Sequence, residues 1–109
     1  MTRDDLAKEI ERWSGYVYFN IFGVEYSICC LPLRIDISAP HTYDRIGICD
    51  EVTFQKFNDE YDDNEPYDPS IPYIWFVTLD ELLEKYCINE KPLVVLLDKI
   101  ENLKGVAFA

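Results

Sequence analysis

The sequence predicts a small single α+β domain: an antiparallel sheet of about four strands, an N-terminal helix and two C-terminal helices. Three observations carry that expectation. Apolar residues near the N-terminus recur at helical spacing, two runs after residue 15 alternate apolar with polar residues, and leucines near the C-terminus return to helical spacing. A length of 109 residues fits one domain, spanning 1–109, and allows a core without staples. The 49% hydrophobic and 15% aromatic content is too rich for a disordered chain.

Thr2 is placed to cap a helix beginning at Arg3, with Asp4 and Asp5 in the first turn, where the helix dipole favours acids. Leu6, Ile10 and Trp13 form its apolar stripe, and Gly15 is its stop signal. In residues 16–22, Val17, Phe19 and Ile21 alternate with Tyr16, Tyr18 and Asn20. Val24, Tyr26 and Ile28 then alternate with Glu25 and Ser27, which predicts a hairpin turning near Phe22 and Gly23. Pro32 breaks the run, Leu33, Ile35 and Ile37 suggest a third strand, and residues 39–42 read as a loop.

Residues 45–57 admit two readings. Ile46 and Ile48, followed by Asp50, Glu51, Val52 and Phe54, would make a second hairpin. Phe54, Phe57 and Tyr61, spaced i, i+3, i+7, favour a short helix after Asp50. Between 59 and 72 the acids and Pro66, Pro69 and Pro72 exclude regular structure and predict a long loop. Residues 73–77 are apolar nearly throughout and predict a central strand. Thr78 and Glu81 form a capping box for a helix whose buried side is Leu79, Leu82, Leu83 and Tyr86. Asn89 and Pro92 are then expected to open a last helix with the stripe Leu93, Leu96, Leu97, Ile100 and Leu103, ended by Gly105.

Charge is the feature that bears on function. Residues 50–68 hold eight acids (Asp50, Glu51, Asp59, Glu60, Asp62, Asp63, Glu65, Asp68) against Lys56 alone, hence −7 of the chain's −11. Such a chain repels nucleic acid and anionic membranes and attracts basic surfaces. It has no basic stripe with which to bind DNA or RNA directly. No run is long and apolar enough to span a membrane, and the polar N-terminus lacks the apolar core of a signal peptide. The expectation is a cytoplasmic protein whose four cysteines (Cys29, Cys30, Cys49, Cys87) stay reduced.

Catalytic signatures are missing from the sequence. The single histidine, His41, lies in a proline-flanked loop, and the cysteines sit in apolar patterns that suit core packing. There is no glycine-rich phosphate loop, nucleophile elbow or zinc spacing. An EF-hand begun at Asp59 would need glycine at its sixth position and glutamate at its twelfth, but Asn64 and Ser70 stand there. No cofactor is expected, and a weak calcium site is the alternative reading of the acids.

A partner-binding role remains. In an extended segment, alternate residues lie about 6–7 Å apart on one side. The acids would then form a line of negative charge with phosphate-like spacing. Asp59, Glu60, Tyr61, Asp62, Asp63, Glu65, Tyr67 and Asp68 are the expected partner-binding residues, with the tyrosines as amphipathic anchors. In size, acidity and lack of a catalytic motif the chain resembles the small anti-CRISPR and anti-restriction proteins of phages and mobile elements, many of which imitate DNA in charge. That resemblance implies a non-enzymatic inhibitor of a host defence nuclease, acting in the host cytoplasm if phage-encoded. Immunity proteins that neutralise basic toxins look similar for the same physical reason.

Overall fold

The computed structural model describes residues 1–13, 16–31, 45–69 and 71–106. Helix α1 (Arg3–Arg12) is closed at its start by a full capping box. The Thr2 hydroxyl accepts from the Asp5 amide at 3.2 Å, and the Asp5 carboxylate accepts from the Thr2 amide at 3.0 Å. The backbone bond to Thr2 is the main reason the Asp5 carboxyl is held below its ordinary value. Leu6 and Ile10 are buried, as their spacing predicts.

Strands β1 (Tyr16–Ile21) and β2 (Val24–Leu31) form the expected hairpin, with Ile21 opposite Val24. Both turn residues have positive φ, 52° at Phe22 and 79° at Gly23, as a two-residue turn matched to the strand twist requires. Strand β3 (Arg45–Asp50) runs directly into helix α2 (Glu51–Asp59), so the helix reading of this region holds. Asp50 makes the junction. Its carboxylate accepts from the Thr53 amide at 2.7 Å and the Thr53 hydroxyl at 3.0 Å.

Strand β4 (Ile74–Phe76) follows the loop, and helix α3 (Leu79–Lys85) follows β4, with the Thr78 hydroxyl accepting from the Glu81 amide at 3.1 Å. The main sheet has the order β4-β3-β2-β1-β7, antiparallel throughout. That order corrects the expectation of a central strand at 73–77: among the described residues β4 is an edge, paired only with β3. Its apolar character comes from packing on both faces near the edge, a pattern that a central strand would share.

The C-terminal region departs furthest from expectation. Asn89 does not cap a helix. Asn89 and Glu90 have φ of 52° and 68° and turn a small ribbon of β5 (Cys87–Ile88) and β6 (Lys91–Pro92). A 3₁₀ helix (Leu93–Lys99) follows, and then strand β7 (Glu101–Val106) beside β1. Leu93, Leu96 and Leu97 point inward from the 3₁₀ turns. Leu103 reaches the core from an extended strand, so one apolar spacing spans two conformations. Asn102, at φ 55°, accompanies a register shift between β1 and β7. Trp13 lies against Gly105, where a Cβ would come within 2.0 Å of the indole.

The main core joins one face of the sheet to α1, α3 and the 3₁₀ helix, through Leu6, Phe19, Ile28, Ile46, Leu82 and Leu93 among others. Burying each such side chain is worth about 1.5–3 kcal/mol. The coarse expectation of an α+β domain with an antiparallel sheet is met. The strand count and the final helix differ. The third strand at 33–37, the loop at 39–42 with His41, and Gly15 lie outside the described residues.

Candidate interface: the acidic segment over the aromatic face

The pairing register sorts the sheet's side chains onto two sides. Val17, Ile28 and Ile48 share the main-core side, whereas Tyr16, Cys29 and Gly47 share the other, and Trp75 is opposite Gly47. This second side is aromatic. The Trp75 ring lies on Gly47 so closely that a Cβ there would meet it at 2.7 Å. The Tyr73 ring sits 5.7 Å from Trp75, 6.4 Å from Tyr16 and 6.2 Å from Phe54 of α2, measured between centroids. The Tyr73 and Ser27 hydroxyls share a buried hydrogen bond of 2.6 Å. Burial raises the Tyr73 phenol well above its ordinary value, outweighing that bond.

Cys29 and Cys49 complete this cluster, and burial pushes each thiol up to about 11. Both are therefore protonated near neutral pH, whereas nucleophilic attack and metal ligation use the thiolate. Cys87 is exposed.

Phe54 sets α2 on this aromatic side, and the acidic segment folds back onto α2. The Tyr67 hydroxyl donates to Asn58 Oδ1 at 2.8 Å, and its ring lies 6.0 Å from Phe57 and 5.1 Å from Tyr61. The Tyr61 hydroxyl donates to the Glu65 carbonyl. Asp62 organises the tip: its Oδ1 accepts from the Asn64 amide at 3.0 Å and the Asn64 side chain at 3.1 Å, and its carbonyl accepts from the Glu65 amide at 3.0 Å. This is an Asx turn, the local closure that aspartate favours.

The structure therefore replaces the expected extended line of acids with a folded knob. Turns at 62–65 bend the chain because Asp62 satisfies backbone donors that an extended segment would leave to water. Asp59, Glu60, Asp62, Asp63, Glu65 and Asp68 are all exposed. Tyr67 is 49% exposed and Tyr61 is half-buried, so the two tyrosines brace the loop as well as line its surface. Asp59 accepts from the Gln55 side chain at 2.9 Å.

The acidic surface also extends beyond the loop, which the sequence reading missed. Glu51, Val52, Gln55, Lys56, Asp59 and Glu60 line a depression of about 680 Å³ on the outer side of α2. The signal was present: positions 51, 55 and 59, and 52, 56 and 60, are spaced by four and share one helical side. A smaller cleft of about 160 Å³ lies between the hairpin and α2, with Tyr18, Glu25, Asp50 and Glu51 in its lining. Lys104 stands beside that hairpin, 3.9 Å from the Glu25 carboxylate and 5.7 Å from the Tyr18 ring centre.

Among the described residues, no group of three or more His, Cys, Asp or Glu side chains is arranged to hold a metal ion. Among the same residues, no helix is long and apolar enough to cross a membrane. Compared with protein-family models, curated proteins and solved structures, the chain finds no match in any of the three.

Proposed function

We propose that this protein is a non-enzymatic acidic inhibitor. In this reading it covers a cationic, nucleic-acid-binding surface of a host defence nuclease with the knob at residues 59–68 and the adjoining outer side of α2. The observation that carries the reading is the pairing of charge with preorganisation. Six exposed carboxylates stand on a loop whose shape is held by Tyr61, Asp62 and Tyr67. A loop already folded loses less conformational entropy on docking than a disordered acidic run. Its charge speeds encounter with a basic surface, an effect that salt screens. Tyr67 adds a partly exposed ring of the kind enriched at binding hot spots.

The same geometry selects the test. Glu60, Asp63 and Glu65 project charge without making the loop's bracing side-chain bonds, which belong to Asp62, Tyr61 and Tyr67. The triple variant Glu60→Lys, Asp63→Lys, Glu65→Lys should therefore fold and lose partner capture from host lysate. Capture by the unaltered protein should weaken steeply with salt, and added duplex DNA should displace the captured protein. Capture that survives the triple reversal, or that ignores both salt and DNA, would overturn the proposal.

A further inference from the structure

The cleft between the hairpin and α2, about 160 Å³ in volume, is lined by no residue of the knob. It is smaller than the roughly 300–1,000 Å³ of a pocket for a drug-sized ligand, and suits the end of one side chain. Its place follows from the register. Lys104, Tyr18, Ser27 and Cys49 stand opposite one another in a row across β7, β1, β2 and β3, on the aromatic side of the sheet. One residue after Cys49 the chain turns at Asp50 into α2. Tyr18 and Glu25 line the cleft from the hairpin, and Glu51, Phe54 and Gln55 line it from α2.

Acids and rings meet in this lining. It contains Glu25, Asp50 and Glu51 and, among the described residues, no basic side chain. Burial first, and Glu25 next, raises the Tyr18 phenol above its ordinary value. Burial and then Asp50 do the same at Tyr26, which also lines the cleft. The chain's own lysine already marks the spot as one that favours a cation. Lys104 Nζ lies 5.7 Å from the Tyr18 ring centre, within the range of a cation–π contact. It stands 3.9 Å from the Glu25 carboxylate, too far for a hydrogen bond, and its side chain is 65% exposed. Glu25 is therefore left able to accept from a better-placed donor.

We infer that the cleft is a socket for one arginine side chain of a basic partner, whose guanidinium stacks on Tyr18, donates to Glu25 and displaces the Lys104 ammonium. Arginine fits better than lysine because its head is planar, weakly hydrated and able to stack on a ring while donating in its own plane. A lysine would only repeat what Lys104 already does. Asp50 accepts from the Thr53 amide and hydroxyl, so its part is charge rather than direct contact, and Glu51 adds to that charge. The inference rests on reading the chain as a binder of basic surfaces, and it adds a second contact point separate from the knob.

The test titrates the isotopically labelled full chain, at physiological ionic strength, with N-acetyl-arginine amide and with its neutral isostere N-acetyl-citrulline amide. The arginine probe should shift the amides of Tyr18, Glu25, Glu51 and Gln55 saturably, and the citrulline probe should not. Affinity should fall about two- to fivefold in Glu25→Gln, the range of one exposed ion pair, and about two- to fivefold in Tyr18→Leu through loss of the cation–π contact. Lys104→Met should change affinity in the opposite direction, tightening it about two- to fivefold by removing the competing ammonium. Lys8→Met, which deletes the same charge from exposed α1, should leave it unchanged. The knob triple variant keeps every residue of the cleft and should show the same amides shifting. Equal binding of the two probes, or tightening by Lys8→Met equal to that by Lys104→Met, would overturn the socket. Loss of the shifts in the knob triple variant, with Glu25→Gln and Tyr18→Leu unaffected, would overturn it too and leave the knob as the cation site. Shifts that persist while the knob variant still captures its partner would instead separate a working socket from a failed knob.

Discussion

The two faces of the sheet are covered by different chemistry. One packs mainly aliphatic side chains, with the stacked Phe19 and Tyr26 rings among them, against α1, α3 and the 3₁₀ helix, and Leu6, Ile46, Ile48, Leu82 and Leu93 there have essentially no exposure. The other is covered by a helix with no buried residue and by an acidic loop. Its anchors are rings and hydrogen bonds: Phe54 on Tyr73, Tyr73 on Trp75, the Tyr73 hydroxyl on Ser27, and Tyr67 on Phe57. The difference teaches how a chain can carry a dense patch of charge and still fold. Rings on one side of α2 and the loop hold the cover down, which leaves the carboxylates on the water side. Each face should therefore fail in its own way.

The largest effect is expected on the main-core face. Phe19→Ala removes a ring that is 1% exposed and stacked on Tyr26 at 5.9 Å. It should cost about 3–5 kcal/mol in denaturant unfolding, and a cost no larger than that of a surface change, about 0.5 kcal/mol, would break the contrast between the faces. On the aromatic face, Gly47→Ala forces a methyl group to within 2.7 Å of the Trp75 ring. A loss of about 1–3 kcal/mol, with a change in tryptophan fluorescence, is expected. Unchanged fluorescence would show that Trp75 does not rest on Gly47.

Tyr73→Phe should have a smaller effect. It leaves the ring in place and strands the Ser27 hydroxyl, which is 8% exposed. The expected cost is about 1–2 kcal/mol, and Ser27→Ala in the Tyr73→Phe background should recover part of it.

Alkaline pH sharpens the same contrast. The folded Cys29 and Cys49 thiols sit near 11, above the unfolded value of about 8.5. Their folded form holds the proton more tightly, so their contribution is full below the unfolded value and lost as pH rises toward 11. The melting temperature should fall over that window, and it should fall less in the Cys29→Ala, Cys49→Ala double variant. An equal fall in both proteins would remove the thiols from the account. Thiol reagents at neutral pH should label exposed Cys87 ahead of both.

Much of this fold was legible where signals are local. Leu6 and Ile10 marked α1, Gly23 marked the hairpin, and Asp50 and Thr78 marked helix starts through side-chain caps that act over three residues. The position of β4 was not legible, because sheet order depends on pairing across distant segments, here Ile48 with Ile74. The last helix misled because Leu93 to Leu103 keeps helical spacing through a 3₁₀ helix and then a strand. Asn89 and Glu90 reverse the ribbon by taking positive φ, a conformation that asparagine tolerates and glutamate gives no hint of. In the candidate interface the acids were plain from composition. The folding of the loop was not, since the bond from Tyr67 to Asn58 spans nine residues and has no period to betray it.

The central claim is that the knob presents fixed negative charge to a surface that otherwise binds nucleic acid. Its most direct measurement is competition on the captured partner, with labelled duplex DNA displaced by this protein and by its Glu60→Lys, Asp63→Lys, Glu65→Lys variant. The account predicts displacement by the unaltered protein, loss of displacement by the variant, and an unfolding free energy unchanged to within about 0.5 kcal/mol. A variant that folds and displaces DNA as well as the unaltered protein would contradict it.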